Sequence, residues 1–242
     1  MDLGIAGRRA AVAAGSSGLG LASAAALAAE GVDVAICGRD ENRLAAAAEH
    51  IGERCTPIVA DVSTPKGAAG FVEAAVETLG GVDILVPNAG GPPPGTFAST
   101  PVDAYQGALD LNLMSVVAMC KAAVPAMQER GWGRVVAITS VSVRQPIATL
   151  ILSNTARAGA TAFLKTLALE VADDGVTVNS VQPGTHRTPR IEQVFSDEQL
   201  GDMRVGDAAD FGAIVAFFCS RYTTFTTGAS FSVDGGSYLG LL

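Results

Sequence analysis

Short apolar runs alternate with longer helical patterns from one end of the chain to the other. Runs at 9–14, 32–37, 56–60, 84–86, 134–139, 177–181 and 230–233 are predicted strands, and 19–30, 41–51, 66–79, 101–129, 153–172 and 207–220 are predicted helices. The strands lack polar alternation and each is followed by a helix, which implies a parallel sheet covered on both faces. The expected fold is α/β, a doubly wound, Rossmann-like parallel sheet of about seven strands, with ligands bound beyond the carboxyl ends of the strands. No linker, composition shift or internal repeat divides the 242 residues, so a single domain over 1–242 is expected. A core of that size needs no disulfide or metal staple. The Gly-Pro-rich stretch 90–95 falls between a strand and a helix and reads as a loop at the binding edge.

Composition narrows the partners. Hydrophobic residues make up 49% and charged residues 17%, against about 25% charged in an average soluble domain. That shortage of charge points to surface buried between copies, and a homodimer or homotetramer is expected. Small residues on two predicted helices (Ala118, Ala122, Ala123; Ala156, Gly159, Ala160) permit close helix contacts between subunits. A net charge of −8 offers no basic footprint, which argues against a nucleic-acid partner. Cys37, Cys55, Cys120 and Cys219 are scattered without a CxxC, and there are only two histidines, so neither a metal site nor a disulfide framework is expected. Met1–Gly4 carries no basic leader, and the uncharged stretch 11–29 is glycine-broken and alanine-rich, too weak a hydrophobe for a membrane span. A cytoplasmic protein without a membrane partner is the expectation.

The candidate chemistry starts at the first strand-to-helix turn, Ala13-Ala14-Gly15-Ser16-Ser17-Gly18-Leu19-Gly20. Glycines there let the backbone approach a pyrophosphate, and the helix N-terminus adds unpaired N–H groups and a positive dipole end. Without a ligand the same pattern is a tight turn. After the second strand the chain reads Cys37-Gly38-Arg39-Asp40. An arginine at this place favours the 2′-phosphate, so NADP(H) is expected over NAD(H); the alternative is that Arg39 only pairs with Asp40 or Glu41.

With these elements in place, the chain resembles the short-chain dehydrogenase/reductase family over nearly its full length. The loop Gly15, Ser16, Ser17, Gly18, Leu19 and Gly20 is similar to that family's TGxxxGxG element, and Asp61-Val62 stands where its adenine-contacting Asp follows the third strand. Asn88-Ala89-Gly90 resembles the NAG motif, Asn112 the mid-helix active-site Asn, and Ser140 the catalytic Ser. Pro183, Gly184 and Thr188 resemble the PGxxxT element that contacts the nicotinamide carboxamide, and Thr227-Gly228 with Asp234-Gly235-Gly236 resembles the C-terminal signature. Each motif is weak alone, but in order at matching spacing they make a strong set. The resemblance implies hydride transfer between a nicotinamide cofactor and a carbonyl or alcohol.

Two departures stand out. Ala13 and Ala14 replace the Thr and first Gly of the loop, and the extra methyl fits the turn if φ is negative there. Counting from Ser140 to the family's YxxxK motif gives Ser153 and Arg157 instead of Tyr and Lys, and Tyr105, Tyr222 and Tyr238 are remote in sequence. Arg157 can still meet ribose hydroxyls from the i+4 position, but stays protonated and relays protons poorly. Ser153 is a far weaker acid than tyrosine, whose pKa is about 10. It also reads as a helix N-cap after the loop 145–152, and Arg157 as a surface ion pair. His186 is the candidate substitute proton donor, or a residue that faces solvent or caps a turn; His50 is expected at the surface. Arg187 and Arg190 open a short substrate loop at about 185–205, consistent with an acidic or carbonyl-rich substrate or with a solvated charge cluster.

The leading expectation is an NADP-dependent carbonyl reductase with catalytic Ser140, Ser153, Arg157 and Asn112. A cofactor-binding pseudoenzyme or regulatory subunit is the alternative. Non-redox chemistry of the halohydrin dehalogenase type ranks last, because those relatives keep the Tyr and give up the dinucleotide loop.

Overall fold

The computed structural model describes residues 1–189, 191, 197–201 and 203–241. Seven parallel strands lie in the order β3-β2-β1-β4-β5-β6-β7: β1 (Arg9–Val12), β2 (Asp33–Gly38), β3 (Cys55–Val59), β4 (Ile84–Val86), β5 (Gly133–Ile138), β6 (Val176–Pro183) and β7 (Ser230–Val233). Strand order reverses between β1 and β4, which opens a crevice beyond their carboxyl ends. Alternate side chains enter two cores. Ala10, Val12, Val136 and Ile138 pack with α1 (Gly18–Ala29), α2 (Glu41–Ile51) and the helix Ala208–Phe218. Ala11, Ala13, Val135 and Ala137 pack with α3 (Pro65–Leu79) and the long helices 115–129 and 151–170.

Local chemistry sets the helix starts. Asp40 Oδ1 accepts from the Arg43 N–H at 2.9 Å at the head of α2. Thr64 Oγ1 accepts from the Gly67 N–H at 3.1 Å, with Pro65 at the first helical position of α3.

The predicted helix 101–129 is not continuous. It begins as α4 (Ala104–Leu109), widens into a π-turn over Asp110–Met114, and resumes as α5 (Ser115–Glu129). The rod Ala104–Glu129 is long and apolar enough to cross a membrane by length and composition, yet here Met119, Cys120, Ala123, Val124 and Met127 are buried in the core. Among the described residues the remaining α-helices are α6 (Ile151–Glu170), α7 (Asp197–Gly201), which the pattern did not predict, and α8 (Ala208–Phe218).

At the amino-terminal edge of the sheet, Asp83 is clamped between two arginines. Its carboxylate accepts from Arg9 Nε at 2.8 Å and Nη2 at 2.9 Å, and Arg130 Nε lies 3.5 Å away. Burial pushes the Asp83 pKa up, but hydrogen bonds and charge from Arg9, with charge from Arg130, outweigh it and hold the carboxyl below its ordinary value.

Candidate active site

The turn from β1 into α1 is tighter than side chains prefer. Ala14 has φ +48°, the one non-glycine residue with positive φ among the described residues. The condition under which its methyl fits without strain is therefore not met. A left-handed L-residue costs about 1–2 kcal/mol. Its neighbours leave no slack: a Cβ on Gly15 would lie 2.8 Å from Ile36, and one on Gly20 would strike the Ala14 carbonyl and the Asn88 amide. Ser17 caps α1 without a side-chain hydrogen bond. The first-turn N–H groups, which have no partner within a helix, therefore stand at the cleft that Ser17, Gly18 and Leu19 border. Asn88 Nδ2 donates to the Ala13 carbonyl at 3.3 Å and ties the β4 loop to this turn.

A cavity of about 1120 Å³ runs from the turn past Ser16, Arg39, Asp61, Val62 and Gly90. Arg43, not Arg39, pairs with Asp40, at 3.5 Å, and among the described residues Arg39 makes no ion pair. Its guanidinium is thus left to the cavity, which overturns the alternative that it merely pairs with its neighbours. The Asp61 carboxyl lies below its usual value, mainly because the Ser63 N–H donates to it at 2.9 Å, with Arg39 adding charge.

A second cavity, about 630 Å³, shares Ala14, Ser17, Gly90, Gly91 and Pro92 with the first and collects Asn88, Ala89, Ser140, Ser153, Arg157, Pro183, Gly184, His186 and Thr188. Ser140, just past β5, accepts from the Ser142 N–H at 3.1 Å. Ser153 is the third residue of α6, not its cap; the cap position is Leu150, which offers no side-chain bond. The helix starts two residues earlier than predicted, and this turns Ser153 inward, 8% exposed. Its Oγ accepts from Arg157 Nε at 3.3 Å.

Arg157 is no surface ion pair. Its Nη1 donates to the Ile138 and Thr139 carbonyls at 3.2 Å each, and its Nη2 to the Ala89 carbonyl at 3.3 Å. It staples the end of β5 to the loop after β4 as well as lining the cavity. Burial lowers its pKa to about 10, so it remains a cation at neutral pH. Asn112 sits in the π-turn behind the wall, outside both cavities. Its Nδ2 donates to the Gly90 carbonyl at 3.0 Å, while its buried Oδ1 has no partner.

The loop after β6 is clasped at its base. Arg187 N–H donates to the Gly206 carbonyl and Gly206 N–H to the Thr185 carbonyl, both at 2.9 Å. His186 is buried rather than solvent-facing, edge-on to Phe211 at 5.2 Å, with Nδ1 3.3 Å from the Gly184 carbonyl oxygen. His50 is exposed, as expected. Arg187 is exposed and is not in the cavity wall; Arg190 lies outside the described residues. Sequence reasoning missed Ser237 and Tyr238, which close the far side of the cavity. The only signal was their place just beyond Asp234, whose carboxylate accepts from the Gly236 and Tyr238 N–H groups.

The two joined cavities suit a dinucleotide: an adenosine arm beside Arg39, a turn whose bare glycines admit a pyrophosphate, and a nicotinamide arm ending at Ser140 and Ser153. The profile described as enoyl-(acyl carrier protein) reductase matches residues 13–238. The chain is 34% identical over 243 residues to a 2-dehydro-3-deoxy-L-rhamnonate dehydrogenase (NAD(+)) of Sphingomonas sp. (strain SKA58), covering 96% of this chain and 95% of that one. Among solved structures, L-sorbose reductase of Gluconobacter frateurii, complexed with NADPH and L-sorbose, is similar at TM-score 0.91 and 31% identity, with full coverage of both chains. An NADPH-bound short-chain oxidoreductase of Pseudomonas aeruginosa PAO1, described as containing an atypical catalytic center, is similar at TM-score 0.89 and 31% identity over 96% of this chain and 97% of that one. Fold, cleft and relatives agree: the chain belongs to the short-chain dehydrogenase/reductase family, as an oxidoreductase that works with a nicotinamide dinucleotide on a small molecule.

Proposed function

We propose that this protein is an NADP(H)-dependent carbonyl reductase, active in the cytoplasm as a homodimer or homotetramer. One observation carries the chemistry. Ser140 and Ser153 line one cavity, and each hydroxyl oxygen already accepts an N–H bond. Their own hydrogens are therefore left to donate to a carbonyl oxygen. When bound, the cofactor supplies the hydride that reaches the carbonyl carbon. The two hydroxyls polarise the carbonyl and stabilise the charge that develops on its oxygen. Arg157 stabilises the hydroxyl of Ser153 as it gives up its hydrogen, and water replaces that proton. His186, expected as a substitute donor, braces the base of the loop in this reading. With serine in place of a tyrosine at position 153 the step lacks a strong general acid there, which is worth about 10²–10⁴ in rate, so turnover is slow and favours activated ketones or quinone-like carbonyls.

Preference for the phosphorylated cofactor rests on Arg39, whose guanidinium has no ion-pair partner among the described residues. Calorimetric titration with NADPH and NADH, followed by turnover over a carbonyl panel, tests the whole reading. Tight NADPH binding, weaker NADH binding and NADPH oxidation are expected. The fixation of Arg157 on backbone carbonyls favours the second reading, a cofactor-binding pseudoenzyme. In that case NADPH binds but no carbonyl is reduced, and Ser153→Tyr with Arg157→Lys creates an activity the parent lacks.

A further inference from the structure

The substrate end of the site carries a specificity that neither the motifs nor the relatives assign. Its walls are mainly apolar, from Val141, Ile147, Leu150 and Ile191, with Tyr238 contributed by the C-terminal segment and Gln145, Thr149 and Ser237 as the polar part of the lining there. That segment is a built wall. Arg204 Nη1 donates to the Gly235 carbonyl at 2.9 Å, the Leu239 N–H donates to Gln145 Oε1 at 3.4 Å, and the Arg144 guanidinium lies 5.5 Å from the Tyr238 ring. No lysine, aspartate or glutamate faces the cavity among the described residues, and its one arginine, Arg157, is spent on three backbone carbonyls and Ser153. Arg187 points elsewhere.

We infer that the site selects neutral, predominantly apolar carbonyl compounds, and that the Tyr238 ring is a specificity-determining contact for them. A carboxylate here would lose its hydration shell, and among the described residues the one guanidinium in the wall already gives its N–H groups to three carbonyls and Ser153. A hydroxyl-rich chain such as L-sorbose, the substrate in the similar G. frateurii structure, would lay hydroxyls against Ile147, Leu150 and Ile191. The inference rests on the reductase reading. In that reaction the hydride joins the carbonyl carbon, the carbonyl π-bond opens to an alkoxide, NADPH becomes NADP⁺, and a proton from water completes the alcohol.

The test uses the full-length protein and a matched pair, para-methylacetophenone and para-carboxyacetophenone. The neutral ketone is expected to show kcat/KM about a hundredfold or more above the carboxylate, since about 1.4 kcal/mol of lost solvation already costs tenfold. Equal rates, or preference for the carboxylate, overturn the proposal. Tyr238→Phe keeps the preference. Tyr238→Ala raises KM for the neutral ketone about tenfold or more while NADPH affinity stays unchanged; an unchanged KM removes Tyr238 from the proposal. If neither ketone turns over, the reductase reading has failed, and the specificity is read separately from binding of the two corresponding benzylic alcohols to the NADPH complex, followed by cofactor fluorescence. Binding of the neutral alcohol alone upholds the pocket's selectivity; binding of the carboxylate as well or better, or of neither, overturns it.

Discussion

The two edges of the sheet are built on opposite terms. At the amino-terminal edge Asp83 meets two arginines and takes three N–H bonds from Arg9, and the unmet buried groups there, among the described residues, are only Arg134 Nε and Thr177 Oγ1. At the carboxyl edge Ala14 sits at a positive φ, Arg39 has no ion pair among the described residues, and the buried Asn112 Oδ1, Thr139 Oγ1 and Gln182 Nε2 find no partner. The same strands pass through both edges. The difference therefore comes from what the loops are asked to do: close the fold at one end, leave polar groups for a ligand at the other. Strain and unmet hydrogen bonds concentrate where function is placed.

The largest effect on stability expected from breaking this contrast is at Asp83. Removing the buried carboxylate leaves two arginines that are themselves partly exposed, which costs about 1–3 kcal/mol, so Asp83→Asn lowers thermal stability, while the folded fraction binds NADPH as before. The pH dependence follows. Because the folded pKa of Asp83 is depressed, its contribution is complete above the unfolded value of about 4 and disappears as the pH falls through the lower folded value. Acid unfolding monitored by circular dichroism should show this loss in the parent and not in the variant. At the opposite edge, Ser140→Ala removes one donor to the developing oxyanion and lowers kcat by about 10²–10³, with the unfolding temperature nearly unchanged. An unfolding temperature that drops as far as in the Asp83 variant would erase the distinction between the edges.

Two smaller effects sharpen it. Arg39→Ala is expected to weaken NADPH about ten- to a hundredfold, the scale of a charge-assisted hydrogen bond, and to leave NADH unchanged in calorimetric titration. Ala14→Gly relieves the left-handed strain and raises stability by about 1 kcal/mol, or about 2–4 °C for a chain of this size. A lower melting temperature for this variant would mean that the turn is not strained.

Much of this was legible in the sequence. All seven strands lie where the pattern put them; the inner five do so because strands buried on both faces read as apolar segments, and the edge strands β3 and β7, half exposed, were found by their spacing between helices. The glycine loop, Asp61, Asn88 and Ser140 were legible because each follows a strand end, where position alone sends it to the cleft. What stayed hidden depends on atomic detail. The π-turn at Asp110–Met114 leaves the apolar pattern of 101–129 intact, so no periodicity reveals it. Ser153 and its role hang on where α6 begins, and Leu150 carries no cap to announce that start. Arg157 could be placed on its helical face, but not on the three carbonyls that reach it from two other segments. Tyr238 joins the cavity because Asp234, Arg204 and Gln145 together fix the C-terminal segment against it.

Whether the carboxyl-edge site, with Ser153 and Arg157 in place of a tyrosine and a lysine, transfers hydride or only holds a dinucleotide is decided by one labelling experiment. The most direct measurement is incubation of the parent protein with NADPH deuterated at the transferable position and an activated ketone, followed by mass spectrometry of the alcohol. One deuterium is expected on the carbinol carbon of the product, lost in Ser140→Ala. NADPH that binds tightly yet leaves no deuterium in any product would contradict hydride transfer and make the protein a dinucleotide-binding partner instead.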